Sequence, residues 1–193
     1  MTGWPGRYVG HPDPATAAAN LVALVVAGNG PFYPLYVLAL IGWDHDGAWL
    51  TMLATPFFAA VPAVSRWRSW AGRGALPLVG IANTVWCSAL LGSASGVGLF
   101  LLPCIVLAAL LFRDDERWPM LLLVGAAIGA LACVTEFPFV GMMGLGRADS
   151  AALARLDAIS VATLSGFVAI QTARVLTTSP AGAGEVDGAK RRG

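Results

Sequence analysis

The chain has 193 residues, of which 57% are apolar and 12% charged, with a net charge of +1. Soluble domains carry about twice that charged share, and a soluble domain of this size has too little interior to hold so much apolar surface. A bilayer can hold it, so composition selects a membrane protein, while the near-zero net charge makes no case for nucleic acid or acidic partners.

The first fourteen residues are polar and rich in Pro and Gly. They lack the compact apolar run of a cleavable signal peptide and are expected to form a cytoplasmic amino-terminal segment. Residues 15–43 are the first apolar run. As one helix it would reach about 43 Å at about 1.5 Å per residue, well beyond a hydrocarbon core of about 30 Å. Gly28-Asn29-Gly30-Pro31 lies in its middle and Pro34 follows. Each proline removes a backbone donor, which predicts a kinked or interrupted helix. Further runs cover 48–64, 75–92, 97–112 (after the turn Ser93-Ala94-Ser95-Gly96), 118–145 (with Pro138 inside) and 151–176. They are rich in Leu, Ala and Gly and do not alternate with period two, so barrel strands are poor candidates. Residues 177–193 are Gly- and Ala-rich with charges at the end, the composition of a disordered tail. The expected fold class is all-α: a polytopic integral membrane protein, a six-transmembrane-helix bundle spanning 15–176, with N and C termini cytoplasmic.

Loop charge supports this count. With the amino terminus inside, the inner segments hold Arg7, Arg66, Arg68, Arg73, Arg113, Arg117, Arg174, Lys190, Arg191 and Arg192, and the outer ones only Arg147 and Arg155. Basic residues concentrate in cytoplasmic loops, and a five-span arrangement would place either the Arg66–Arg73 loop or the basic tail outside. The expected location is a bacterial-type cytoplasmic (inner) membrane.

Polar residues within apolar runs are costly in hydrocarbon and mark function. Glu136 is the carboxylate set deepest in an apolar run, toward the outer half of the fifth span, and Asp157 enters the sixth at similar depth. Asn29, Tyr33 and Tyr36 lie on the outer half of the first span, and Asn83 and Trp86 at or above the middle of the third. These residues are the candidate lining of an outward-opening ligand pocket. The plainer alternative puts Glu136 and Asp157 among headgroups and Asn83 in an interhelical hydrogen bond. The Gly28–Pro31 break has two readings as well: a packing kink, or irregular backbone lining a cavity.

Other motifs read plainly. Ser65-Arg66-Trp67-Arg68-Ser69-Trp70 follows a span and suits headgroup anchoring. Arg113-Asp114-Asp115-Glu116-Arg117 suits a solvated turn, or a dock for a partner. Cys87, Cys104 and Cys133 sit in apolar runs without C-x-x-C spacing, which suggests neither zinc nor disulfides. Ser93-Ala94-Ser95-Gly96 loosely matches the rhomboid serine motif, but a serine nucleophile needs a nearby base, and His11 and His45 both lie outside the spans. The same histidine count excludes bis-histidine haem, and with no lysine in any span there is no retinal attachment point. No enzymatic activity, cofactor or metal is expected.

Asn20-Leu21-Val22-Ala23-Leu24, then Gly30-Pro31-Phe32-Tyr33, then a short loop and a span ending in a basic turn, resembles the six-helix sensor region of α-hydroxyketone-sensing histidine kinases (CqsS/LqsS type) and related adenylyl cyclase membrane anchors. The resemblance covers roughly residues 18–115. It implies an outer-leaflet pocket for a small lipophilic signal. In that family an output domain follows the sixth helix; here residues 177–193 follow it. The expected function is therefore a receptor-like module that binds a small, partly apolar ligand and signals through a separate cytoplasmic partner. The alternatives are a small-solute transporter or a substrate-capture subunit of one, and a scaffold subunit without ligand. Expected partners are the lipid bilayer, the ligand, the signalling partner and, in a homodimer, a second copy of the chain.

Overall fold

A computed structural model describes residues 4–178; most of the expected tail, from Ser179 on, lies outside them. The described residues form eight α-helices and no strand: α1 (Trp4–Val9), α2 (Pro14–Asn29), α3 (Phe32–Ile41), α4 (Thr55–Trp67), α5 (Ser69–Leu91), α6 (Leu101–Leu110), α7 (Arg117–Glu136) and α8 (Arg147–Thr178). A 3-10 segment, Asp46–Met52, leads into α4, and two more, Ser93–Ser95 and Val97–Phe100, lead into α6. Four helical segments are long and apolar enough to cross a bilayer: Asp46–Trp67, Ser69–Leu91, Arg117–Glu136 and Arg147–Arg174. Helices α2 and α3 together make a fifth, bent by 42°, and Val97–Leu110 is a shorter apolar helix.

The bend falls where the prolines put it. Pro31 and Pro34 carry no N–H, so the ladder loses two donors within one turn. The Gly30 N–H bonds both Val26 and Ala27 carbonyls, the shared bonding of a helix end. The second span runs Asp46–Trp67 and the helix of the sixth apolar run starts at Arg147, each a few residues outside the expected 48–64 and 151–176, and two boundaries differ by more. The fifth apolar run leaves the helix at Glu136 instead of continuing to 145, because a residue before proline is driven out of the α region: Phe137, before Pro138, has φ −117° and ψ 73°. Helix α5 starts at Ser69 rather than near 75, since Arg68 turns extended (φ −148°, ψ 120°) and its carbonyl accepts the first bonds, from Ala71 and Gly72.

The helix ends gather in two groups. At one end meet the starts of α2, α5 and α7. Arg73, 1% exposed, pairs with Asp13 and Glu116 and donates to the Thr16 hydroxyl at 3.1 Å, while Arg113 lies 4.0 Å from Asp13. Burial alone would raise the Asp13 pKa, but the Thr16 hydrogen bond and the charges of Arg73 and Arg113 outweigh it and hold the carboxyl below its ordinary range. Beside this cluster the Asn20 amide donates to the Val9 carbonyl and its oxygen accepts from Ser65, and the Tyr8 hydroxyl donates to the Ala59 carbonyl. The amino-terminal segment is thereby docked on α2 and α4. At the far end, Phe137–Leu145 folds over the end of α5: the N–H groups of Met142 and Met143 bond Ala89 and Leu90 carbonyls. Gly141 sits there at φ +85°, with Gly92 backbone against the place of a side chain, so only glycine fits.

In lipid, small residues that let helices approach replace the hydrophobic drive of water. Ala19, Ala23 and Ala27, spaced by four on α2, are buried where that helix packs on α4 and α5. The outer surface is the reverse of a soluble protein. Leu122, Ile159 and Phe57 are exposed, at 71%, 68% and 60%. Trp67 and Trp118 stand out at the arginine-rich end and Trp43 and Trp49 at the other, the two aromatic belts of a bilayer-embedded protein. The fold is that of a multi-pass membrane protein.

Candidate functional site

The buried core of the described residues falls into three clusters, one of them formed by Ile81, Leu101, Cys104 and Ala127. Ala19, Val22, Phe58, Leu76 and Leu107 belong to the cluster nearer the arginine-rich end, and Val37, Leu38, Leu90 and Leu153 to the cluster at the far end. Between them opens a cavity of about 450 Å³, within the usual range for small-molecule sites.

Its wall has a polarity gradient. Toward the arginine-rich end it is apolar: Val22, Leu76, Leu107, Leu164 and Phe167. Toward the far end it is mixed: Asn29 and Tyr33 flank the break, with Thr51, Asn83, Cys87 and Ser160 around them and Val97 and Phe100 also in the wall. Helical register explains the placement. Gly80, Asn83, Thr84 and Cys87 fall at i, i+3, i+4 and i+7, one face of α5, and all four line the cavity.

Of the residues singled out from sequence, Asn29, Tyr33, Tyr36 and Asn83 line this cavity. Asp157 stands directly behind it: fully buried, it accepts a hydrogen bond from the Tyr33 hydroxyl at 2.9 Å. Trp86 lies outside the lining; its indole N–H donates to the Leu50 carbonyl at 3.0 Å and its ring packs on the far cluster, where it braces α5 against the segment before α4. Glu136 is not brought to the cavity either. It is the last residue of α7, with an exposed side chain, on a peripheral helix of which only Ala127 and Val134 are buried; Pro138 ends that helix two residues on. Sequence reading missed Thr51, Thr84, Cys87, Ser160 and Thr163. The i, i+3, i+4, i+7 stripe of small and polar residues on α5 was the available signal, since it faces inward on an otherwise apolar helix.

Three of the lining threonine hydroxyls have settled donors. Thr51 donates to the Ala48 carbonyl, Thr84 to Gly80 and Thr163 to Ile159, at 2.7, 2.8 and 2.9 Å. A carbonyl only accepts, so each hydroxyl hydrogen is spent. Among the described residues no cluster of His, Cys, Asp and Glu suits a metal ion. No protein-family model, curated protein or solved structure matches the chain.

Proposed function

We propose that this chain is a six-span membrane receptor module, with its amino terminus cytoplasmic, that binds a small, partly apolar ligand in the cavity at the break between α2 and α3 and signals through a separate partner. The observation that carries it is the cavity itself, of about 450 Å³, mostly apolar with its polar side chains gathered toward the helix break. Four residues chosen from sequence for their cost in hydrocarbon line it, and a fifth, Asp157, is bonded to its wall. A packing kink alone needs no such lining. The resemblance to the hydroxyketone-sensor region, carried by Gly30-Pro31-Phe32-Tyr33, points to the same segment as the binding locus.

The test uses the purified chain in nanodiscs and a panel of neutral, anionic and cationic phenylalkyl compounds. Ligands that bind only the folded state raise its melting temperature. Ser160, on the cavity wall, is the place to block. Ser160→Phe should leave folding intact and weaken the stabilising compounds by at least about tenfold. Hits that bind Ser160→Phe unchanged would place binding elsewhere. Uptake of a labelled hit into proteoliposomes would instead favour transport, which the broken helix at the cavity also suits.

Topology is checked separately. Cys133 is exposed and Cys87 and Cys104 are buried, so a Cys133→Ser background suffices. In intact cells Ser69→Cys should resist an impermeant thiol reagent until the membrane is opened, and Met142→Cys should react at once. Labelling of Ser69→Cys from outside would overturn the orientation.

A further inference from the structure

We infer that the cavity selects an amphipathic cation, an apolar body bearing one protonated amine, received at the polar end by Tyr33 with Asp157 behind it. The inference rests on the cavity being a ligand site, and it adds the chemical class of the ligand.

Charge comes first. None of the residues lining the cavity is Lys, Arg or His, and none of the described ion pairs includes Asp157. Its Oδ1 accepts from Tyr33, while its buried Oδ2 has no hydrogen-bond partner among the described residues. A buried carboxylate without a countercharge is costly. The cavity wall is where a countercharge can arrive. Asp157, Ser160 and Leu164 lie at i, i+3 and i+7 on one face of α8, and the latter two line the cavity, as does Tyr33.

Hydrogen-bond inventory points the same way. The Tyr33 hydrogen is committed to Asp157, and those of Thr51, Thr84 and Thr163 to backbone carbonyls. Toward the cavity these oxygens can only accept. The Asn29 and Asn83 amides and the hydroxyls of Tyr36, Thr55 and Ser160, which also line the wall, can both donate and accept, so a ligand donor can be received by both sets of groups and a ligand acceptor only by this second set. An ammonium brings three donors and no acceptor. Aromatic faces add to this: Tyr33, Tyr36 and Phe100 line the wall, and rings attract a cation within about 6 Å. An anion would find donors in the asparagine amides and those hydroxyls, but no cation, and it would face the Asp157 carboxylate behind Tyr33. The polarity gradient sets the pose, with the amine toward Tyr33 and the apolar body toward Leu107 and Phe167.

The experiment compares phenylbutylamine, phenylbutanol and phenylbutyrate, matched in size and different in charge, by calorimetric titration of the full chain in phosphatidylcholine nanodiscs at neutral pH. The amine should bind at least about tenfold tighter than the alcohol, and the acid weakest. Asp157→Asn should bring the amine to the affinity of the alcohol and leave the alcohol within about twofold of its wild-type value. Should Asp157→Asn fail to fold, Tyr33→Phe serves in its place, with the amine losing more than the alcohol. Equal or reversed ranking in the wild type, with binding still blocked by Ser160→Phe, would overturn the cation preference and leave the ligand site standing. An amine preference that survives Asp157→Asn would also overturn it. Failure of all three compounds to bind would overturn both.

Discussion

Arg73→Met should lower the unfolding free energy by about 3–5 kcal/mol, the usual cost of removing one member of a buried ion pair. Arg73 is 1% exposed and neutralises two carboxylates that belong to different parts of the chain, Asp13 before α2 and Glu116 before α7. Its loss takes the close countercharge from Glu116, leaves Asp13 only the more distant Arg113, and unpins three helix ends. Arg73→Lys should recover only part of the loss, since an ammonium cannot reproduce the guanidinium fork that reaches both carboxylates. The triple change Asp13→Asn, Arg73→Met, Glu116→Gln should recover more, because a neutral cluster carries no unpaired charge. The pH dependence has a definite sign. The folded-state pKa of Asp13 is depressed, so the unfolded chain binds its proton first and Asp13 stabilises the fold above the ordinary Asp value of about 3.9. That contribution falls away as pH drops from there through the folded-state value, and Asp13→Asn should remove it. Thermal unfolding in detergent at pH values from neutral down to about that Asp value and below it measures all of these. A loss below about 1 kcal/mol for Arg73→Met, the scale of a surface pair, would mean that the cluster is solvated and pins nothing.

Gly30→Val should destabilise the chain by about 1–3 kcal/mol, the cost of overpacking a close contact. Gly30 has ordinary right-handed helical angles, φ −49° and ψ −50°, so backbone strain is not the reason. The reason is proximity: a Cβ at Gly30 would overlap Thr55 Oγ1, with Thr55 Cγ2 at 3.0 Å. This contact seats the bend of the α2–α3 pair against the start of α4, and both residues line the cavity. Thr55→Ala removes the two nearest atoms and should recover most of the loss in the double variant, a coupling that a double-mutant cycle reads directly. Purely additive effects would show that α2 and α4 do not meet at this point.

The apolar runs were legible as helices because a backbone in hydrocarbon has to satisfy its own hydrogen bonds, and run length then sets the element. The break at Gly30-Pro31 was legible for an equally local reason, the missing proline donors. Span ends were less so. Pro138 was visible within the fifth run, yet whether a proline kinks a helix or ends it depends on what receives the departing chain. Here the end of α5 receives it, through Ala89 and Leu90 carbonyls. Glu136 was misplaced by the same ambiguity: counted along a continuous helix it falls inside a span, but at a helix end it is exposed.

By itself, the sequence determined the environment of this protein, the helical state of its apolar segments, the bend in the first of them and the short set of polar residues worth suspecting, all through local chemistry: burial cost, periodicity and missing backbone donors. Only the tertiary structure decided which of those residues meet. Tyr33 and Asp157 are 124 positions apart, and Arg73 joins Asp13 and Glu116 across 60 and 43. Such pairings depend on how each helix is rotated and where it crosses its neighbours. Those quantities are set by small-residue contacts such as Gly30 on Thr55 and the Ala19–Ala23–Ala27 face, and an apolar run seen alone carries no information about the rotation of the helix beside it.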